Sequence, residues 1–295
     1  MLFALCLLLQ ASPNLVKING TELLVKSIGS GEPIILLHGG PGLSHDYFLP
    51  AFETLAKTHQ VIFFDQRLSG ASSVDVEADQ ITMDAFVADI NGIADHFKLE
   101  KFHLLGHSYG GLIAMFYAKA HPERLKSLML VDSVMGDDHY AATFTQAFSA
   151  RVKPEFTEAM QKIKDTELFR SRDPETMRSY FQIAFKAALH NPEDSDKLNL
   201  KFADDYGIKS AKLSGLVRNL GHYHLDGDMQ KLEVPVWVVY GASDPMPEEG
   251  RKMLAAYFPK GIYDEIPDAG HFPFVEQPEV FFQKFQGFLK TLQTP

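Results

Sequence analysis

Leu104-Leu105-Gly106-His107-Ser108-Tyr109-Gly110-Gly111 decides how the rest of the chain is read. The apolar run from Phe102 to Leu105 enters a Gly-x-Ser-x-Gly pattern, and Leu112-Ile113-Ala114-Met115 continues with helical character. That is the strand, sharp turn and helix setting of a nucleophile elbow. Gly106 and Gly110 are the small residues such a turn needs, because strand and helix pass close on either side of the serine. The geometry predicted for it lifts Ser108 Oγ above the carboxyl edge of a sheet. It also places the Tyr109 N–H at a helix N-terminus, facing a developing oxyanion. A Gly- and Ser-rich turn without chemistry is the alternative, and the remaining sequence decides between the two.

The chain has 295 residues, enough for one large α/β domain with an insertion or for two modest domains. Hydrophobic residues make up 45% and charged residues 22%, an ordinary globular balance. A formal net charge of −10 argues against a nucleic-acid-binding surface. Cys6 is the only cysteine, which excludes disulfides within the chain and cysteine-based metal sites. The opening stretch Met1–Ser12 is uncharged and strongly apolar, too short to span a bilayer. It resembles the apolar region of a secretory signal over residues 1–11 with Ala11 at the cleavage point, so a secreted or periplasmic protein is expected. Because a basic leading region is missing, the competing reading is an apolar extension packed on a cytoplasmic domain.

Val16–Lys26 reads as two strands around an Asn19-Gly20 turn. Pro33–Leu37 and Gln60–Asp65 are continuous apolar runs, as expected of strands buried on both faces. Met83–Phe97 carries apolar residues at helical spacing, and after the elbow come a helix over Gly111–Ala120 and a strand over Leu125–Asp132. Between about Asp137 and Leu220 only amphipathic helical stretches are found: Ala141–Ala150, Pro154–Asp165, Pro174–His190 and Ser210–Leu220. Strand–helix alternation resumes with Val234–Gly241, Gly261–Ile266 and a helix over Pro278–Leu292. The pattern predicts an α/β fold, a mostly parallel sheet with helices on both faces. Residues 12–136 and 225–295 would form the core, and residues 137–224 an inserted helical cap.

A serine needs a base, and the base needs a partner that fixes its tautomer. Asp244, just beyond Val234–Gly241, and His271, on the loop after Gly261–Ile266, supply them in the order Ser, Asp, His. Loops at the carboxyl ends of parallel strands open on one edge of the sheet, so the three side chains can converge. Asp132, at the end of the strand after the elbow, is the rival acid, and Asp268 is a loop acid beside the base. His107, His222 and His224 read as solvated or hydrogen-bonded residues without a catalytic task. His38-Gly39-Gly40-Pro41-Gly42 ends the first buried strand, and the Gly40 N–H with that of Tyr109 would make a two-donor oxyanion hole. No His-Glu-x-x-His, phosphate loop or dinucleotide fingerprint is present, so neither a metal nor a cofactor is expected.

On these residues the chain resembles the α/β-hydrolases and, among them, the proline iminopeptidases. His38–Gly42 corresponds to that family's oxyanion stretch, and Asp65-Gln66-Arg67-Leu68-Ser69-Gly70-Ala71-Ser72 is similar to its Asp-Gln-Arg-Gly-Ser-Gly-x-Ser. The resemblance implies an α/β-hydrolase fold, a Ser108–Asp244–His271 triad and a cap that closes over a peptide or small-molecule substrate. Tyr109 stands where many members have tryptophan. Leu220-Gly221-His222-Tyr223-His224 is the nearest match to the family's Glu-Asn-His-Tyr-Phe, with leucine in place of the acid that helps hold a substrate amine. Asp204 and Asp205 are the acids that would substitute, and with Tyr223 they are the substrate-binding candidates. A serine hydrolase releasing an N-terminal residue from peptides is the leading reading, a carboxylesterase or lactonase the second, and a non-catalytic ligand receptor the third.

Overall fold

In the computed structural model, which describes residues 14–292, the eight strands form one sheet. They are β1 (Asn14–Ile18), β2 (Thr21–Ile28), β3 (Glu32–Leu37), β4 (His59–Phe64), β5 (Phe102–His107), β6 (Leu125–Val131), β7 (Val236–Gly241) and β8 (Gly261–Ile266), in the order β1-β2-β4-β3-β5-β6-β7-β8. β3 to β8 run parallel to one another, and β2 runs antiparallel to both of its neighbours, β1 and β4. Asn19 and Gly20 both have positive φ, 47° and 80°, which gives the tight turn the twist of its flanking strands. The apolar stretch read as an export signal lies outside the described residues. Among those described, no helix is long and apolar enough to cross a membrane.

Two cores sandwich the sheet, and the period of two along each strand divides its residues between them. Ile35, Leu37, Leu104, Leu128, Leu130, Val236 and Val238 face the side covered by α1 (Met83–His96) and α2 (Tyr109–Ala120). Ile34, Leu36, Leu105, Met129, Val131, Trp237 and Val239 face the other, where the chain's phenylalanines concentrate. There Phe48, Phe52, Phe274, Phe281 and Phe285 interlock, the last two carried by the terminal helix α11 (Pro278–Thr291). Continuous apolar strand sequence is the direct consequence of this double burial.

Between β6 and β7 lie α3 (Tyr140–Arg151), α4 (Pro154–Lys164), α5 (Glu167–Arg170), α6 (Pro174–Phe185), α7 (Tyr206–Leu220) and α8 (Asp226–Met229). A single β-bridge between Asp137 and His224 joins the two ends of this helical stretch. α6 ends at Phe185, short of the predicted His190, because Lys186 and Ala188 take up tighter turns whose N–H groups bond Ile183 and Phe185. The carbonyl of Ala188 is thereby freed to accept from His271 N at 2.9 Å. α7 starts earlier than predicted, and its buried Lys209 reaches across to the carbonyl of Gly70 at 2.8 Å. The helix α9 (Glu248–Ala256) and the short α10 (Pro273–Glu276) complete the chain.

The Asp65–Ser72 stretch is held by a buried ion pair. Arg67 Nε and Nη2 donate to Asp89 Oδ2 and Oδ1 at 2.8 and 2.6 Å, and Nη1 donates to the Gln80 carbonyl. Both side chains are almost wholly out of solvent. Removing one partner strands the other charge in the core. Asp89→Ala is therefore expected to cost about 3–5 kcal/mol in urea unfolding, with Asp89→Asn costing less because one amide oxygen still accepts.

Candidate active site

β5 delivers the chain into Ser108, which sits at φ 56°, ψ −122° immediately before α2. This is a left-handed conformation that side chains rarely adopt, and the surroundings impose it. A Cβ on Gly106 would lie 2.4 Å from the Gly110 carbonyl oxygen, and one on Gly110 would lie 2.3 Å from that of Leu37. The Ser108 backbone is clamped as well: its N–H donates to Val131 O at 3.0 Å, and its carbonyl accepts from Val134 N at 3.1 Å. Tyr109 is the first residue of α2, so its N–H has no intrahelical acceptor and is available at the positive end of the helix.

His271 and Asp244, the base and acid candidates of the sequence, lie in line with Ser108. His271 Nε2 lies 3.0 Å from Ser108 Oγ, and His271 Nδ1 lies 2.6 Å from Asp244 Oδ2. The carboxylate can only accept, so Nδ1 carries the proton and Nε2 is free to take the serine's. Asp244 Oδ1 accepts from Met246 N at 2.6 Å, which orients the acid. The loop carrying His271 is held by Glu276, a residue the sequence did not signal. Glu276 accepts from Gly270 N, Phe272 N and His190 N at 2.9, 3.2 and 2.7 Å, and burial pushes its carboxyl up.

The His38–Gly42 loop, the oxyanion candidate, is pinned by side chains from neighbouring strand ends. His38 Nε2 accepts from Gln66 N at 3.0 Å, which leaves Nδ1 protonated to donate to the Gly39 carbonyl at 2.8 Å. Because the peptide is planar, holding Gly39 O fixes the Gly40 N–H on the side away from His38. Gly40 has φ 126°, and a Cβ there would lie 2.8 Å from Gly42 N, so only glycine fits.

Two cavities of about 220 Å³ each flank Ser108. One is walled by Pro41, Leu43 and Phe272 of the core and by Phe181 and Phe185 of α6. The other is walled by Val134, Met135, Met246 and, from α3, Tyr140, Ala141, Phe144 and Thr145. No sequence pattern distinguished these α3 and α6 residues from other apolar positions of amphipathic helices. The predicted substrate-binding residues are elsewhere. Neither Asp204 nor Asp205 lines either cavity, and Asp205 pairs with Lys209 at 2.7 Å. Tyr223 lines a separate cavity with Phe116, Leu216 and Leu220. Phe181 and Phe185 of α6 and Phe144 of α3, not Asp204, Asp205 or Tyr223, line the cavities beside Ser108.

A model of the α/β hydrolase fold family matches residues 32–278. The chain belongs to the α/β-hydrolase fold family. It is a hydrolase enzyme and resembles proline iminopeptidases. It is 28% identical over 273 residues to a proline iminopeptidase of Lactobacillus delbrueckii subsp. bulgaricus, covering 83% of this chain and 85% of that one. It is 25% identical over 271 residues to that of Heyndrickxia coagulans, covering 90% and 92%. Among solved structures it is similar to a thermophilic esterase from Thermogutta terrifontis, with 26% identity, a TM-score of 0.70, and 97% and 99% of the two chains covered.

Asp132, the alternative acid of the sequence, lies close to both Asp244 and His271. A carboxylate oxygen of Asp132, one of Asp244 and a ring nitrogen of His271 fall within 4.8 Å of one another. Asp132 Oδ1 accepts from Gly241 N at 2.9 Å, while Oδ2 is buried with no donor. Burial, then the neighbouring Asp244 carboxylate, pushes Asp132 well above the ordinary 3.8, so it is held as the neutral acid. The folded state then keeps a proton that the unfolded chain releases above about pH 4, and the contribution of Asp132 to stability falls as pH rises past that point. Asp132→Asn mimics the neutral acid without this penalty. Thermal melts are expected to show it matching the parent near pH 4 and exceeding the parent near pH 7.

Proposed function

We propose that the protein is a serine hydrolase that works through an acyl-enzyme at Ser108, with an aminopeptidase of the proline iminopeptidase type as the leading substrate reading. The observation that carries the reaction type is the 3.0 Å approach of His271 Nε2 to Ser108 Oγ, with Asp244 at 2.6 Å behind it. In this reading His271 takes the Ser108 proton as Oγ attacks the substrate carbonyl. The Asp244 carboxylate stabilises the resulting imidazolium, and the Gly40 and Tyr109 N–H groups receive the oxyanion. His271 then passes the proton to the leaving group. A water, deprotonated by the same ring, releases the acyl product from Ser108 and restores the hydroxyl.

The proline iminopeptidases among the curated relatives support the peptide substrate. The α3 and α6 side chains on both cavity walls support assigning residues 137–224 as a cap over the cleft. A specific observation favours the second reading, a carboxylesterase or lactonase. The walls are mainly apolar, and apart from Asp244 and the neutral Asp132, Asp137 is the only carboxylate lining them among the described residues. Asp137 already faces His224 Nδ1 at 3.2 Å. An ammonium entering this site has little to neutralise it, and the cost of desolvating it falls on the substrate.

Comparing Pro-, Ala- and Leu-naphthylamides with p-nitrophenyl esters, each with free and acetylated amines where the chemistry allows, separates the two readings. The aminopeptidase reading expects hydrolysis of free-amine naphthylamides and its loss on acetylation; activity confined to esters supports the second reading. Under either, a fluorophosphonate probe is expected to label the parent and not Ser108→Ala. Asp244→Asn is expected to lower kcat by about 10⁴-fold, because the base then loses its tautomer control. Equal labelling of the parent and Ser108→Ala would exclude the acyl-enzyme.

A further inference from the structure

We infer that Tyr47 and His107 are positioning residues for this reaction, forming a buried hydrogen-bond relay that ties the oxyanion loop to the loop carrying the base. The inference rests on the proposed acyl transfer at Ser108 and adds residues to it.

Three contacts make up the relay. The Gly39 N–H donates to the Tyr47 hydroxyl oxygen. That oxygen lies 2.8 Å from His107 Nδ1, and His107 Nε2 lies 2.7 Å from the backbone carbonyl of His271. Their directions are fixed by chemistry. An amide N–H can only donate, so the Tyr47 oxygen accepts at Gly39 and its own proton is free to point onward. A carbonyl can only accept, so His107 Nε2 must carry a proton. His107 Nδ1 is then bare and takes the Tyr47 proton. One arrangement satisfies all three contacts: a neutral imidazole protonated at Nε2, flanked by a hydroxyl that donates to it.

The surroundings hold this state. Tyr47 and His107 are both almost wholly buried, and the His107 ring is packed against Tyr47, Phe272 and Phe274 at centroid distances of 5.3, 5.1 and 5.2 Å. Burial, together with the nearby His271, pushes His107 well below the ordinary 6.5, so a second proton does not break the chain. His107 directly precedes Ser108, and its two ring nitrogens reach toward the other two parts of the machinery. Gly39, at the far end, carries the carbonyl that sets the Gly40 peptide plane. The relay thus links the nucleophile turn, the base loop and the oxyanion donor through rigid groups. A rotation of one loop is resisted by the other two.

Tyr47→Phe removes one oxygen and leaves the ring packing, so it isolates the relay. Removing an oxyanion donor outright costs about 10²–10³ in kcat, and displacing one should cost less, about tenfold. For hydrolysis of p-nitrophenyl acetate, Tyr47→Phe is expected to lower kcat about tenfold with KM within about twofold, and to slow fluorophosphonate labelling by the same factor. His107→Gln, which keeps one donor and one acceptor, should retain more activity than His107→Leu. The ¹⁵N spectrum of the imidazoles should show His107 protonated at Nε2 at neutral pH in both the parent and Ser108→Ala, with its Nδ1 resonance shifted by Tyr47→Phe. Parent-like kcat and labelling in Tyr47→Phe, or a change confined to KM, would overturn the positioning role. An Nδ1-protonated His107 would overturn the relay even if Tyr47→Phe failed to fold. A parent that neither labels at Ser108 nor cleaves the ester would overturn the proposed function and the catalytic meaning of the relay with it, leaving only the spectroscopic geometry.

Discussion

The near-contact of β5, α2 and β3 around Ser108 is the constraint on which the remaining architecture depends. Gly106 and Gly110 leave no room for a Cβ, and through that gap the chain reverses so sharply that Ser108 is forced to φ 56°. Such a conformation persists only if the surroundings over-determine it. Here they do: the Ser108 N–H is committed to Val131 and its carbonyl to Val134, so the end of β6 holds the turn from one side. β3, paired with β5, holds it from the other. The strain is therefore supported by the centre of the sheet, where eight strands and two aromatic and aliphatic cores supply the stability.

Around that turn, acids and histidines are used in two distinct ways. Asp244 and His271 form a hydrogen-bonded line to Ser108 that borders the cleft. Asp132, Glu276, His38 and His107 are buried groups whose hydrogen bonds aim backbone or neighbouring side chains. Two carboxylates placed as close as Asp132 and Asp244 do not both ionise in a buried site, and burial with that repulsion keeps Asp132 neutral. The division follows from solvation: Asp132 and His107 border the cavities but are themselves almost wholly buried, and a buried group is tolerated when neutral or fully hydrogen-bonded.

The fold, and the convergence of Ser108, Asp244 and His271 at one edge of the sheet, follow from local patterns. Runs such as Ile34–Leu37 and Val236–Tyr240 can be buried on both faces only in a covered, mostly parallel sheet, and strand ends dictate where Asp244 and His271 must meet Ser108. The walls of the cleft depend on which face of each inserted helix turns inward, and that is set by packing between elements far apart in sequence. Asp204 and Asp205 were plausible anchors by charge alone, yet Asp205 is occupied by Lys209, which itself is drawn to the Gly70 carbonyl. Phe181, Phe185 and Phe144 border the cleft although nothing local marks them.

His107 shows the boundary most clearly. In the sequence it is one more histidine beside a motif, and its two partners lie sixty residues before it and 164 after it. The order Ser, Asp, His and the alternation of strands with helices are properties of the chain, since backbone geometry converts them into position without further information. The tautomer of His107, the neutrality of Asp132 and the apolar walls beside Ser108 belong to the folded protein alone. Each depends on burial and on partners distant in sequence, and none of the three exists until the chain has folded around them.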